Sequence, residues 1–200
     1  MASRGRPRSF DRQDALRRAL EVFWQQGFDN ASLTDLTQAM GINSPSLYAT
    51  FGSKEALFRE AVGLYIDTEG SGIWEQVSSA PTACEAIAHV MNASAKAFTR
   101  GPEPRGCLIV LAAPQMQGAN PTVCDELKRR RGENITVLEQ RLQHAVSDGE
   151  LPAGTDCRAI ANYYATVQHG MSIQARDGAS REILQSIADC AMASWKVLTA

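Results

Sequence analysis

Gly41 interrupts two short runs of apolar residues with helical spacing, and this break within Ser32–Lys54 (SLTDLTQAMGINSPSLYATFGSK) is what most constrains the fold of the 200-residue chain. Ser32 is placed to cap a helix start, and Asp35, three residues on, can reach back as an aspartate variant of the capping box. Leu33, Leu36 and Met40 then share one face of a helix at spacings of three and four. Gly41 supplies the left-handed backbone that ends it, so the turn is short and sharp. Asn43 can cap the next helix, Pro45 suits its first turn, and Leu47 with Phe51 forms its apolar stripe. A helix of roughly two turns cannot bury enough surface alone. The run from Asp11 to Gln26 offers a third helix through Leu16, Leu20 and Phe23, and the pattern predicts a three-helix unit containing a helix-turn-helix.

The exposed face of the second of these helices carries the chemistry. Ser44, Ser46, Tyr48, Ala49 and Thr50 are small or hydroxyl-bearing, lie away from Leu47 and Phe51, and with Pro45 form a low-relief surface able to enter a major groove. Lys54 opens the following helix and Thr34 sits in the first turn of the preceding one, where side chain and helix N-terminus together can hold a phosphate oxygen. Upstream, Arg4, Arg6 and Arg8 stand in a Gly/Pro-containing segment suited to follow the DNA backbone or enter the minor groove.

The residues Phe23, Gly27, Ser32-Leu33-Thr34, Met40-Gly41-Ile42, Ser46-Leu47-Tyr48, Phe51 and Ser53-Lys54-Glu55-Ala56-Leu57, with the basic leader Gly5-Arg6-Pro7-Arg8, give the chain its resemblance to the TetR family of transcriptional regulators. The resemblance is specific from about Arg4 to Leu57 and architectural beyond. It implies phosphate contacts for Tyr48 and Lys54, and backbone-contacting positions for Thr34 and Ser44. Two residues depart from the family pattern. Thr37 stands where many members have Ala, and is accommodated if its hydroxyl bonds back to its own helix. Thr50 occupies a position often filled by His.

Composition bounds the rest. No run of about 18 uncharged apolar residues is present to cross a bilayer, so no membrane partner is expected. The polar and basic N-terminus has no apolar signal core, and a cytoplasmic protein is expected. Through residue 59 there are eight Lys/Arg against six Asp/Glu, and beyond it twelve against sixteen, so the positive end is the DNA end. The asymmetry is mild, and salt-dependent binding is expected from a few placed groups. Nothing in the chain suggests an enzyme: there is no nucleophile elbow, Gly-rich phosphate loop or HExxH.

After the first unit the chain reads as helices separated by Gly and Pro signals: Lys54 to about Gly70, Thr82 to about Thr99, Arg105 to about Gln115, Pro121 to about Asp148, Asp156 to about Asp177, and Ser180 to about Leu198. The segment Cys107 to Ala113 is apolar all round and is expected at the centre of this region. The fold class is therefore all-α, with an N-terminal helix-turn-helix domain over residues 1–56 and a larger helical effector-binding and dimerisation domain over residues 57–200. Tyr163, Val167, Gly170, Met171 and Gln174 fall on one stripe and Ile183, Ile187, Ala191, Ser194 and Leu198 on another, as a two-fold four-helix interface requires. Such a homodimer would set its recognition helices about 34 Å apart.

Candidate residues for an effector pocket are Trp74, Met91, Phe98, Cys107, Met116, Tyr164, Gln168 and His169. The three histidines are too scattered for a metal site, the five cysteines form no CxxC pair, and neither metal nor cofactor is expected. Lys128-Arg129-Arg130-Arg131 reads as a solvated helix face, with a second anionic contact as the alternative. Cys107 follows Arg105 at a helix start, where dipole and guanidinium would lower its pKa. Gly-Cys-Leu at a similar place occurs in TetR-like regulators that sense electrophiles or oxidants, which by resemblance makes Cys107 a candidate redox trigger. The function expected is a homodimeric repressor on double-stranded operator DNA, released by an unidentified small-molecule effector; the alternatives are release through Cys107 and a transcriptional activator of the same fold.

Overall fold

The computed structural model describes residues 10–101, 105–112 and 120–200, and these residues form helices without any strand. Helix α1, Arg12–Asn30, starts where the Asp11 carboxylate accepts the backbone N–H groups of Gln13 and Asp14. It runs four residues past its expected end at Gln26, continuing through a kink at Gly27 that lets Phe28 turn into the core. Helices α2 (Leu33–Met40) and α3 (Ser44–Phe51) form the helix-turn-helix. Both halves of the Ser32–Asp35 capping box are present, with Asp35 N–H donating to Ser32 Oγ (3.0 Å) and Ser32 N–H to the Asp35 carboxylate (3.1 Å). Gly41 is left-handed at φ 68°, and Asn43 caps α3 by accepting from Ser46 N–H (2.9 Å). Thr37 bonds back to the Leu33 carbonyl (2.8 Å), which satisfies its hydroxyl within its own helix.

Helix α4, Lys54–Tyr65, is capped by Ser53 and closes the first core. Phe58 meets the rings of Phe23 and Phe28 edge-on at 5.0 and 5.3 Å, with Leu36, Leu47 and Leu57 fully buried around them. Edge-to-face packing adds to the burial of these large rings and fixes α1 against α4.

A π-helical turn, Ile66–Gly70, leads from α4 into the short α5, Ser71–Trp74. Beyond it lie α6 (Ala83–Phe98), α7 (Leu108–Leu111), α8 (Pro121–Ser147), α9 (Cys157–Arg176), α10 (Arg181–Ala193) and α11 (Trp195–Leu198). Helix α6 packs against α8, α9 and α10, and Gln168 on α9 donates to Ser94 on α6 (3.1 Å) inside this bundle. Two expectations are corrected. Over residues 105–112, the described part of the helix expected from Arg105 to Gln115, the chain forms the single turn α7, which buries Leu108 and Ile109 and leaves Val110 and Leu111 partly exposed; residues 113–115 lie outside the described residues. A one-turn element presents only part of its girth to the core. The helix expected over Ser180–Leu198 breaks at Ser194, whose hydroxyl donates back to the Ala191 carbonyl (2.6 Å) and competes with the helical ladder. Among the described residues, no helix is long and apolar enough to cross a membrane.

Polar contacts tie the N-terminal helices to this bundle. Asn120, which caps α8, donates to Glu55 on α4 (2.9 Å), and Arg176 on α9 reaches the Gln25 carbonyl on α1 (3.2 Å). The Trp24 indole N–H on α1 donates to the Gly106 carbonyl (3.2 Å), and Glu21 on the same helix pairs with Arg105.

Candidate nucleic-acid interface and cavity

The local chemistry of α3 divides its residues cleanly. Leu47 and Phe51 are buried where α3 packs on α2 and α4, while Ser44, Pro45, Tyr48 and Ala49 are exposed and Ser46 and Thr50 are half-buried beside them. The Tyr48 ring is 46% exposed, so a large aromatic with a terminal hydroxyl stands free on a surface of otherwise small side chains. Thr34 is exposed in the first turn of α2. Lys54 begins α4 with its ammonium 4.4 Å from the centre of the Phe28 ring. Burial pushes its pKa down while Asp29 and Glu55 work against the shift. The structure thus brings Thr34, the α3 surface and Lys54 into neighbouring elements of one unit, as a contact with successive phosphates and a groove requires. Arg4, Arg6 and Arg8 lie outside the described residues.

The arginines of the basic run on α8 are engaged within the protein. Arg129 and Arg130 pair with Glu126 and Glu133, and Arg131 donates to the Ile109 carbonyl (2.8 Å). These partners favour the solvated-face reading over a second anionic contact.

A cavity of about 220 Å³ opens between the end of α4, the π turn, α5, α7, α8 and α9. Of the residues expected in a pocket, it brings together Trp74, Cys107 and Gln168, and it adds Tyr65, Ile66, Ile73, Ile109, Arg130, Glu133 and Asn134. The others are corrected. Met91 and Phe98 are buried in the packing of α6, and Tyr164 is buried with its hydroxyl donating to the Ala191 carbonyl (3.2 Å). His169 does not line this cavity; burial and the neighbouring Arg131 charge lower its pKa. Met116 falls outside the described residues.

The expected activation of Cys107 is also corrected. Arg105 turns away from the thiol, pairs with Glu21 and stacks on Trp24. Burial pushes the Cys107 pKa up, against the opposing influence of the Tyr65 hydroxyl beside it. A four-residue α7 supplies only a small dipole to offset that burial.

On the far side of the bundle, Tyr163, Gly170, Gln174 and Ile183 are exposed, and Val167, Ile187, Ser194 and Leu198 are half-buried. Met171 and Ala191 are corrected as interface residues: at 1% and 4% exposure they pack inside the subunit, where α9 meets its neighbours. Ile173 and Val197, which the stripes did not include, are exposed on α9 and α11.

Known proteins share both halves of this architecture. Residues 15–61 match the family described as "Bacterial regulatory proteins, tetR family", and residues 83–189 match "Tetracyclin repressor-like, C-terminal domain". The chain belongs to the TetR family. The HTH-type transcriptional repressor ComR of Escherichia coli (strain K12) is 36% identical over 197 residues, covering 98% of this chain and 94% of ComR. BdcR, another HTH-type transcriptional repressor of the same strain, is 28% identical over 207 residues, covering 98% of this chain and 93% of BdcR. A structure of the TetR family regulator CifR, complexed with 26-bp double-strand operator DNA, superposes with a TM-score of 0.90 at 44% identity, covering 95% of this chain and all of that one. Membership makes this TetR-family chain a DNA-binding transcriptional regulator rather than an enzyme.

Sequence reasoning missed several residues that shape this TetR-family site. Arg12 bonds the Glu60 carboxylate twice (2.9 and 2.7 Å) and places its guanidinium 4.7 Å from the Phe51 ring, which pins the end of α3 between α1 and α4. Its partners are about 40 to 50 residues away in sequence, beyond the reach of any local pattern. Glu21 and Trp24, and their contact with Arg105, were missed for the same reason. Asn134 and Glu133 could have been suspected only from the face of α8 they occupy.

Proposed function

We propose that the protein is a cytoplasmic, homodimeric TetR-family repressor that reads a two-fold operator through α3 and is released by a compact effector bound in the cavity beside Cys107. The exposed face of α3 carries this reading: Tyr48 stands clear of the surface on a helix otherwise presenting Ser44, Pro45, Ser46, Ala49 and Thr50. CifR, 44% identical, forms a complex with double-strand operator DNA, and ComR is a transcriptional repressor. Thr34, Tyr48 and Lys54 supply phosphate contacts, and the remaining α3 side chains meet base edges. Residues 1–56 serve as the DNA-binding domain, with the arm containing Arg4, Arg6 and Arg8, and residues 57–200 as the effector and dimer domain.

The exposed apolar side chains of α9, α10 and α11 support dimerisation. Tyr163, Ile173, Ile183 and Val197 leave a large hydrophobic area on one side of a small protein, which a second copy would cover. The cavity supports a small, uncharged effector. At about 220 Å³ it is smaller than the roughly 300–1,000 Å³ typical of drug-sized ligands. Its apolar wall is made by Ile66, Ile73, Trp74 and Ile109, and its charged pair, Arg130 and Glu133, is mutually compensated. Asn134 and Tyr65 remain to orient one polar group.

DNase I footprinting on the DNA upstream of this gene and its neighbours tests the reading. A protected, approximately palindromic site is expected, bound by the dimer and freed by small neutral compounds. Tyr48→Ala with unchanged affinity for that site would overturn the assignment of α3 as the reading helix.

A further inference from the structure

We propose that the contact of Glu21 and Trp24 on α1 with the Arg105–Gly106 turn passes occupancy of the cavity to the DNA-reading helices; this rests on the effector reading above. The cavity and α1 share a wall. Tyr65 and Cys107 both line the cavity, and the Tyr65 ring meets the Trp24 indole edge-on at 5.0 Å. Trp24 in turn donates from its indole nitrogen to the Gly106 carbonyl (3.2 Å), one residue before Cys107. The Arg105 guanidinium lies 5.5 Å from the Trp24 ring and pairs with Glu21 one turn earlier on α1.

The turn cannot yield in the other direction. Cys107 N–H donates to Ser172 Oγ on α9 (2.7 Å), and Gly106, at φ 65°, lies so close to α9 that a Cβ there would stand 2.3 Å from the Ser172 carbonyl oxygen. A body that displaces Tyr65 or Cys107 therefore pushes on Trp24 and α1, because the α9 side is already in contact. Helix α1 packs directly on α2 and α4, so its movement shifts the frame that holds α3. Glu21, Trp24 and Arg105 are positioning residues in this scheme; none lies on the DNA-facing surface of α3.

The test is a double-mutant cycle in the full-length protein, using a side chain in place of an effector. Asn134→Trp fills the cavity from α8, and affinity for the footprinted fragment is measured by fluorescence anisotropy, with the melting temperature recorded for each variant. In the wild-type background this filler should weaken binding about tenfold, within the range of about 5–150-fold usual for coupled sites. Trp24→Phe keeps an aromatic ring and loses the indole N–H. In that background, and in Arg105→Gln, the filler should weaken binding less than about twofold, a non-additivity that mere loss of stability does not produce. Equal weakening in all three backgrounds overturns the proposal and leaves the cavity reading standing. No weakening in a folded wild-type background overturns the cavity reading and the proposal with it. If Asn134→Trp fails to fold, Ile66→Phe serves as the filler and is read by the same outcomes.

Discussion

Lys54 holds its ammonium among aromatic and acidic neighbours. Its place over the Phe28 ring keeps the stem packed and the charge at the start of α4, where burial lowers its pKa. Lys54→Ala should weaken binding to every DNA sequence and flatten the plot of log affinity against log salt by about 0.9 per protomer, measurable by titration at several salt concentrations. Tyr48→Ala removes a neutral contact and should cost about 1.5 kcal/mol at any sequence while leaving that slope nearly intact. His169 gives a different signature. Burial and Arg131 depress its pKa in the folded state, so the unfolded chain takes up the proton first as pH falls below about 6.5. The folded state therefore loses stability from that pH down to the depressed folded value. His169→Gln should flatten the dependence of the denaturation midpoint on pH below about 6.5. At this scale the sequence revealed residue type better than environment. Arg105 reads as a neighbour that would charge Cys107, yet its guanidinium is taken by Glu21, 84 residues earlier, and the thiol is left to the opposite influence of burial.

Elements with their own capping chemistry are legible in the chain itself. Ser32 with Asp35, Gly41, and Asn43 with Pro45 bound α2 and α3 through contacts no more than a few residues apart, and those contacts are all present. Ser32→Ala should remove about 1 kcal/mol of stability and raise amide exchange in α2 before the rest of the first core, as native-state hydrogen exchange can report. Where an element's ends depend on distant partners, local pattern misleads. Helix α7 reads as a longer apolar helix, but Cys107 and Gly106 are held against Ser172 on α9, so the residues preceding it are fixed as a turn. Met171 and Ala191 share a helical period with surface residues and still face inward, because α9 and α10 bury more than one stripe each. The cavity was legible only in Trp74, Cys107 and Gln168. Its walls come from six separate elements, and periodicity within one helix says nothing about which faces converge.

At the level of the whole molecule, the proposed dimer rests on the exposed apolar side chains of α9, α10 and α11. Ile183→Glu should shift sedimentation toward monomer and abolish tight operator binding while leaving the melting of each subunit nearly unchanged, because this side chain is exposed within one copy. Helix α4 has a separate consequence. Its first residues, capped by Ser53, support α3, while its last, Tyr65, forms a wall of the cavity. One rigid rod of twelve residues thus belongs to both halves of the protein. Grafting a foreign reading head onto this body will succeed only if the seam leaves α4 uncut and the incoming α1 brings its own match for the Arg105–Gly106 turn. Such hybrids are interchangeable parts only as far as that shared rod allows.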